Sequence, residues 1–217
     1  MITVKINGEE RQYPQGATYE DVANDYQKEY DNLIALAARD GKIRELFKKL
    51  TRDCEITFFT LKDDVGNKTY VRSATMLFLK AVFDVFGRET VQNCRVEFAI
   101  GNGSYISPKG KINATEENAA KIRNRMRELV EAKTPFLKKS YSLDNAMELF
   151  RREGMKDKEK LFRYRRGSFV NIYEMDGYYD YYYGYMLPNA GYVKWFDVIA
   201  YEDGFMLLLP DKKDPTH

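Results

Sequence analysis

The sequence of 217 residues predicts an α+β fold. Short β-branched segments that alternate apolar and polar residues, such as ITVKI at 2–6, predict strands. The stretch SATMLFLKAVFDVFG at 73–87 is apolar nearly all round and predicts a buried helix. The stretch at 115–133 carries an apolar stripe at helical spacing and predicts a long helix. Together these patterns predict a mixed sheet packed against helices.

The first 60 residues carry the signals of two hairpins and one short helix. Asn7-Gly8 is a hairpin turn signal, and Thr18 is placed to cap a helix that begins YEDVANDY. The stretch at 32–50 is open to two interpretations: one helix interrupted at Asp40-Gly41, or a strand, a turn and a strand. CEITFFTL at 54–61 then predicts a strand. Two hairpins around one helix suggest a small β-grasp module.

The pattern changes after a polar, glycine-containing joint at 63–67. The buried helix is expected to end at Gly87, and the long helix is expected to begin at Thr115 with Asn118. The apolar stripe of the long helix is Ile122, Met126, Leu129 and Val130, and its other, solvated face carries Lys121, Arg123, Arg125 and Arg127. Ser142 predicts the cap of a further short helix. From 161 to 210 the pattern is mostly strand, and 211–217 predicts a tail or the cut end of a longer chain.

Composition argues against several kinds of site. The net charge is +2, so only local patches can support binding to nucleic acid. The only histidine is His217, and Cys54 and Cys94 lie far apart, which argues against a histidine-based catalytic site and a zinc site. No phosphate-binding loop of the GxxxxGKS or GxxxxGKT type occurs. We therefore expect no metal and no cofactor in this chain.

The amino-terminal residues MITVKINGEERQ turn polar at once, and no apolar run reaches the length of a membrane span. Two cysteines without a pairing pattern fit a reducing compartment. These observations predict a soluble, cytoplasmic protein.

Residues 1–62 resemble a TGS domain, the β-grasp module at the start of bacterial threonyl-tRNA synthetases. The matching text is ITVKINGEERQYPQGATYEDVA at 2–23 and LIALAARDGKIRELFKKLTRDCEITFFTL at 33–61. The resemblance implies that the ambiguous stretch is a strand, a turn and a strand.

Residues 68–210 resemble the editing domain that follows the TGS domain in the same synthetases. The matching segments are RSATMLFLKAVFDVFG at 72–87, IGNGSYI at 100–106, the text at 121–154 and YVKWFDVIAYED at 192–203. In that family the domain removes serine from mischarged tRNA in a water-filled cleft. The cleft is built on two helix histidines four residues apart and on a Cys-x-Gly-Pro-His motif.

The four chemical groups of that cleft are replaced in this sequence. The helix histidine positions fall on Arg72 and Met76, and the motif positions fall on Tyr182 and Met186. The surrounding residues Asp180, Gly184, Pro188 and Asn189 keep the scaffold of the motif. Methionine accepts no proton usefully, arginine stays protonated, and the ordinary pKa of tyrosine is about 10. The departures therefore imply a cleft without catalytic residues.

The order of a TGS module and a degenerate editing-like domain also resembles the N-terminal half of bacterial uridine kinase-like proteins, of the phosphoribulokinase and uridine kinase family. This resemblance implies that a kinase domain, with ATP and Mg as its cofactors, follows the C-terminal tail.

Seven tyrosines lie between Tyr173 and Tyr185. If 178–185 is a strand, Tyr179, Tyr181, Tyr183 and Tyr185 share one face, and Tyr178 and Tyr182 share the other. Aromatic packing with wet hydroxyls is the expected role of most of them. Tyr182, and with it Tyr185, is expected to form a stacking wall in the cleft beside Arg72 and Asp180.

The densest basic patch is Arg163, Arg165 and Arg166, preceded by Lys156, Lys158 and Lys160. Two interpretations stay open for it: a solvated edge of mixed charge, or a rim that faces the phosphates of tRNA or a nucleotide.

The leading hypothesis is a non-catalytic binding or regulatory module, which holds a nucleotide or RNA in the remodelled cleft and acts on an attached kinase. One alternative is a residual aminoacyl-tRNA deacylase that uses Tyr182, Lys156 and water. Another is a protein-interaction scaffold whose cleft is plugged by Met76, Met186 and the tyrosines.

Overall fold

The computed structural model describes residues 1–163 and 167–214. Its strands are β1 Ile2–Ile6, β2 Glu9–Tyr13, β3 Ile34–Arg39, β4 Lys42–Glu45, β5 Cys54–Thr60, β6 Arg95–Ile100, β7 Gly103–Ser107, β8 Leu137–Ser142, β9 Phe169–Met175, β10 Tyr178–Asp180, β11 Asp197–Tyr201 and β12 Gly204–Leu208. Its α-helices are α1 Tyr19–Tyr26, α2 Asp64–Phe86, α3 Arg88–Asn93, α4 Glu116–Glu131, α5 Leu143–Arg152 and α6 Lys156–Arg163. The predicted α+β class is confirmed.

The first 60 residues form a five-stranded mixed sheet with the order β2-β1-β5-β3-β4. β1 pairs antiparallel with β2 through the Asn7-Gly8 turn, whose φ angles of 51° and 87° are those of a tight hairpin. β1 also pairs parallel with β5. Thr18 caps α1 in a reciprocal box with Asp21, as the sequence predicted for this position. The helix buries its apolar face against the sheet.

The ambiguous stretch forms a strand, a turn and a strand. β3 and β4 are joined through Asp40 and Gly41, at φ angles of 48° and 76°. β3 lies between β4 and β5, and five of its six residues are buried. A strand buried on both faces shows no alternation of apolar and polar residues, which is why its text also fits a helix.

The polar joint predicted at 63–67 is wrong, because α2 begins at Asp64 and includes most of it. Asp63 accepts a hydrogen bond from the Thr60 amide at 2.7 Å and closes the turn before the helix. A Cβ atom on Gly66 would lie 2.0 Å from the Thr60 carbonyl oxygen. Glycine is therefore needed there for close packing of α2 on β5, and not for a flexible link.

A second core lies between α2, α4 and the antiparallel sheet β11-β12-β7-β6. Thr115 caps α4, as predicted, by accepting a hydrogen bond from the Asn118 amide. Two cations on the polar face of α4 are tied to other elements: Arg123 lies 3.1 Å from the Asp197 carboxylate, and Arg125 lies 2.8 Å from that of Asp84. The predicted solvated face is thus partly a structural one.

A third, smaller core joins the sheet β10-β9-β8 to α5 and α6, and Ser142 caps α5 as predicted. The prediction of mostly strand after 161 is wrong for the helical end at 161–163 and for 181–196, where the described backbone is irregular apart from a 3-10 turn. β10 pairs with β9 over only three residues. Gly184, at a φ of 133°, and Pro188 then interrupt any ladder.

Across the two described stretches, no helix combines the length and the apolar composition that a membrane crossing would require.

Candidate binding cleft

A cleft of about 1170 Å³ lies between α2 on one side and α6 with β10 on the other. α3, the residues that follow it and the turn between α5 and α6 complete its lining. The wall on α2 is built from Lys68, Arg72, Thr75, Leu79 and Phe83, which share one helix face because they are spaced by three or four residues.

Arg72, one of the residues expected at the cleft, lies in its lining, and its guanidinium is also hydrogen-bonded to the backbone. Its Nη1 donates to the Tyr185 carbonyl oxygen at 2.5 Å. A Cβ atom on Gly184 would lie 2.5 Å from Arg72 Cζ, so the glycine of the motif makes room for the arginine. Burial lowers the pKa of Arg72, while the nearby Tyr173, Glu45 and Tyr182 side chains act in the opposite direction.

Asp180 also lines the cleft and is 5% exposed. Asp180 forms no ion pair with the neighbouring Arg72; its Oδ1 lies 3.2 Å from Lys158 Nζ and accepts a hydrogen bond from the Tyr181 amide at 2.7 Å. Its other oxygen accepts the Tyr178 hydroxyl at 3.1 Å. Both carboxylate oxygens are thus engaged, and Asp180 fixes the tyrosine segment in place.

The Tyr182 side chain lines the cleft, and its hydroxyl oxygen is covered. That hydroxyl makes no well-formed hydrogen bond within the described residues. Burial first, and then the Asp180 charge, raise the pKa of Tyr182 well above 10. The phenol is therefore neutral at neutral pH and is unsuited to act as a general base.

Met76 and Met186, which the resemblance aligns with two histidine positions, lie in the core and do not line the cleft. Met76 and Met186 are both 0% exposed. Met186 Sδ lies 3.9 Å from the Ser73 hydroxyl, on the α2 side of the core. The two methionines therefore fill the interior at these positions, and the cleft lies open beside them.

Two further predicted residues lie away from the cleft. Tyr185 was expected to line it, but the irregular backbone directs only its carbonyl oxygen toward Arg72, and its side chain is not part of the lining. Arg163 ends α6, is exposed and lies 3.9 Å from Glu159. Arg165 and Arg166 lie outside the described residues.

Sequence reasoning missed the charge balance of the cleft. Its acidic residues are each paired: Glu89 with Lys111, Glu153 with Arg88, Asp157 with Arg95 and Asp180 with Lys158. Lys68, Lys156 and Lys160 also line the cleft, and within residues 1–163 and 167–214 they form no ion pair. The spacing of Lys156 and Lys160 by four residues, which places them on one face of α6, was the available signal in the sequence. The cleft thus carries uncompensated positive charge.

The cleft also exposes apolar and aromatic side chains. Tyr183, Leu161 and Val96 all belong to the lining and are 88%, 62% and 49% exposed. Tyr183 is the one exposed aromatic side chain among the described lining residues, and an aromatic ring in a positively charged groove can stack on a base of a single-stranded nucleic acid.

No family model matches this chain. Over 204 residues the chain is 29% identical to the threonine–tRNA ligase of Thermotoga maritima, and the match covers 92% of the chain and 30% of the ligase. It is 28% identical over 193 residues to that of Maricaulis maris, and 23% identical over 201 residues to that of Porphyromonas gingivalis. The chain is therefore similar, over most of its own length, to threonine–tRNA ligases, and it spans about 30% of their length.

Proposed function

We propose that this chain is a binding module, derived from the N-terminal region of a threonine–tRNA ligase, whose cleft holds a phosphate-bearing RNA end or nucleotide without hydrolysing an ester. The similarity to threonine–tRNA ligases supports a tRNA-related role. The observation that carries the proposal is the cleft itself, which is open and contains paired acids, lysines without an ion pair among the described residues, and the exposed Tyr183.

The chemistry of the lining argues against deacylation. A deacylase needs a group that takes a proton from water near neutral pH. Tyr182 has a raised pKa, and Arg72 is a cation held by a backbone carbonyl. Lys156 is exposed, and an ammonium group in water has no lone pair with which to accept a proton. The residual deacylase that would use Tyr182 and Lys156 lacks a working base.

The positive charge supports a phosphate ligand. A lysine that neutralises a phosphate releases the counterions condensed on it, which increases the affinity. This contribution becomes smaller as the salt concentration rises. Lys156 and Lys160 lie one helical turn apart on α6, so both ammonium groups reach the same side of the cleft.

Binding of a fluorescent tRNA acceptor-stem minihelix tests the proposal. We expect the double variant Lys156→Ala and Lys160→Ala to weaken binding about tenfold at low salt. The slope of log affinity against log salt should become shallower by about 0.7 to 0.9 for each lysine that no longer neutralises a phosphate. The matched control is Lys121→Ala, an exposed lysine of α4 outside the cleft. Equal effects of the control and the double variant would overturn the proposal.

A deacylation assay tests the absence of catalysis. Seryl-tRNA should be hydrolysed no faster with the protein than in buffer. A rate above buffer that falls on Tyr182→Phe would establish the enzyme instead.

The order of the two modules supports a wider proposal: that they precede a uridine kinase-like domain that uses ATP and Mg. This proposal rests on the module order alone, since the similar proteins are ligases. The codons that follow residue 217 test it, because a kinase of this kind begins with a GxxxxGKS or GxxxxGKT loop.

A further inference from the structure

Glu45 is a buried carboxylate that joins the first sheet to the rest of the chain. It ends β4 and is 2% exposed. It accepts hydrogen bonds from Lys138 Nζ at 2.6 Å, the Tyr173 hydroxyl at 2.7 Å and the Met186 amide at 3.0 Å. Removing a charge from water is unfavourable unless it is paired and hydrogen-bonded. The three donors, all from the second part of the chain, meet that requirement together.

These contacts determine the position of an irregular segment. Residues 181–188 form neither helix nor strand, so their backbone groups need other partners. The Gly184 carbonyl lies 3.1 Å from the Tyr173 hydroxyl, the Tyr185 carbonyl accepts from Arg72, and the Met186 amide donates to Glu45. Tyr185 and Met186 are thus held by side chains from α2 and β4, and the Gly184 carbonyl lies beside the Tyr173 hydroxyl of β9, which donates its proton to Glu45.

Two of these partners also shape the cleft. Arg72 lines it, and the Tyr173 ring lies 6.5 Å from the ring of Tyr182, which lines it too. A change in the placement of Glu45 would therefore move the segment and its cleft wall together.

We propose that Glu45 is a positioning residue, through which the first sheet sets the conformation of residues 184–186 and so the shape of the cleft. The part that concerns ligand affinity rests on the function proposed above. The first sheet is then a control element of the cleft, and displacing it would release the segment.

Hydrogen exchange of single amides, measured by NMR, tests this coupling. In Glu45→Ala the Met186 amide loses its acceptor, and its exchange should accelerate about tenfold or more. The neighbouring Leu187 amide is an internal control, because it donates to the Ser73 hydroxyl of α2 at 2.9 Å and not to the first sheet. Glu45→Gln keeps an acceptor oxygen and should retain most of the protection.

The matched control variant is Glu174→Gln. Glu174 pairs with Lys139 at 3.0 Å, one residue from Lys138, and does not contact the segment. It should leave the Met186 amide unchanged. The proposal would be overturned if Glu45→Ala left the exchange of the Met186 amide unchanged, or if it accelerated amides equally throughout the chain. In either case Glu45 would not specifically position residues 184–186.

The minihelix distinguishes this proposal from the proposed function. If Glu45→Ala accelerates Met186 exchange selectively and weakens minihelix binding, the coupling reaches the ligand. If exchange accelerates selectively while the unmodified protein binds no minihelix, Glu45 positions the segment and the proposed ligand is wrong.

Discussion

Placing a histidine at Met186 should destabilise the fold instead of creating a catalytic site. The Met186 side chain is 0% exposed, and its sulfur lies 3.9 Å from the Ser73 hydroxyl oxygen. That hydroxyl already donates to the Thr69 carbonyl and accepts the Leu187 amide. Only the second lone pair of that hydroxyl could accept from the imidazole of Met186→His, so at least one of the two ring nitrogens would be buried without a partner.

The expected cost follows from that burial. A histidine has nearly the volume of methionine, so the main cost is one buried ring nitrogen without a hydrogen-bond partner, with some mispacking, or about 2–4 kcal/mol of unfolding free energy at pH 8. Burial disfavours the charged imidazole and lowers its pKa in the folded state below the ordinary value of about 6.5. Below that pH the unfolded state binds more protons, so stability should fall by up to about 1.4 kcal/mol for each further pH unit.

Urea unfolding gives the free energy of unfolding of Met186→His and of the wild type at each pH. The difference at pH 8 measures the cost of burial, and its change at lower pH measures the cost of protonation. Met155→His is the matched control, because Met155 is half-buried and lines the cleft, where water can solvate the ring. A Met186→His variant that is as stable as the wild type, or that gains stability on acidification, would refute the reasoning. It would mean that this side chain reaches water or a carboxylate.

Three further perturbations test a helix cap, a buried hydrogen bond and a buried thiol. Thr18→Ala removes the capping box of α1 and should cost about 1 kcal/mol in urea unfolding; no change would mean that the α1 terminus contributes nothing to stability. Ser73→Ala leaves the buried Leu187 amide without its acceptor and should lower the free energy of unfolding by about 1–3 kcal/mol. A decrease below about 0.5 kcal/mol would contradict this prediction. Burial raises the pKa of Cys94 to about 12, so a thiol reagent at pH 8 should modify the more accessible Cys54 first, and equal rates would contradict the described burial.

The parts of the fold that sequence predicted well are those that local signals determine. The Asn7-Gly8 turn and the caps at Thr18, Thr115 and Ser142 depend on the residue itself and its near neighbours, and all four form as predicted. β3 was ambiguous because its burial on both faces depends on strands elsewhere in the chain. The tyrosine segment was misread as a strand because its aromatic content favours one, while no partner strand among the described residues continues beyond Asp180.

The sequence singled out several residues that the structure brings to one cleft. Arg72, Asp180 and Tyr182 lie on α2 and β10 or directly after it, and all three line that cleft. The direction of the Met186 side chain was not predictable, since it follows from the irregular backbone after Gly184. The sequence contained only a weak indication of the role of Glu45. This charged residue shares a strand face with Ile43, where the alternating pattern would predict an apolar residue. Its partners lie 93 to 141 residues away, and no local pattern reports them.

That separation has a consequence for synthesis. The strands of the first sheet are all complete by Thr60, whereas the partners of Glu45 follow it by 93 to 141 residues. At about 5–20 residues per second, a ribosome needs roughly five to thirty seconds to supply them. During that time the carboxylate stays hydrated on the open side of the new sheet. A glutamate at this position therefore gives the nascent module a soluble surface where an apolar residue would invite aggregation, and the charge enters the interior only when the rest of the chain arrives.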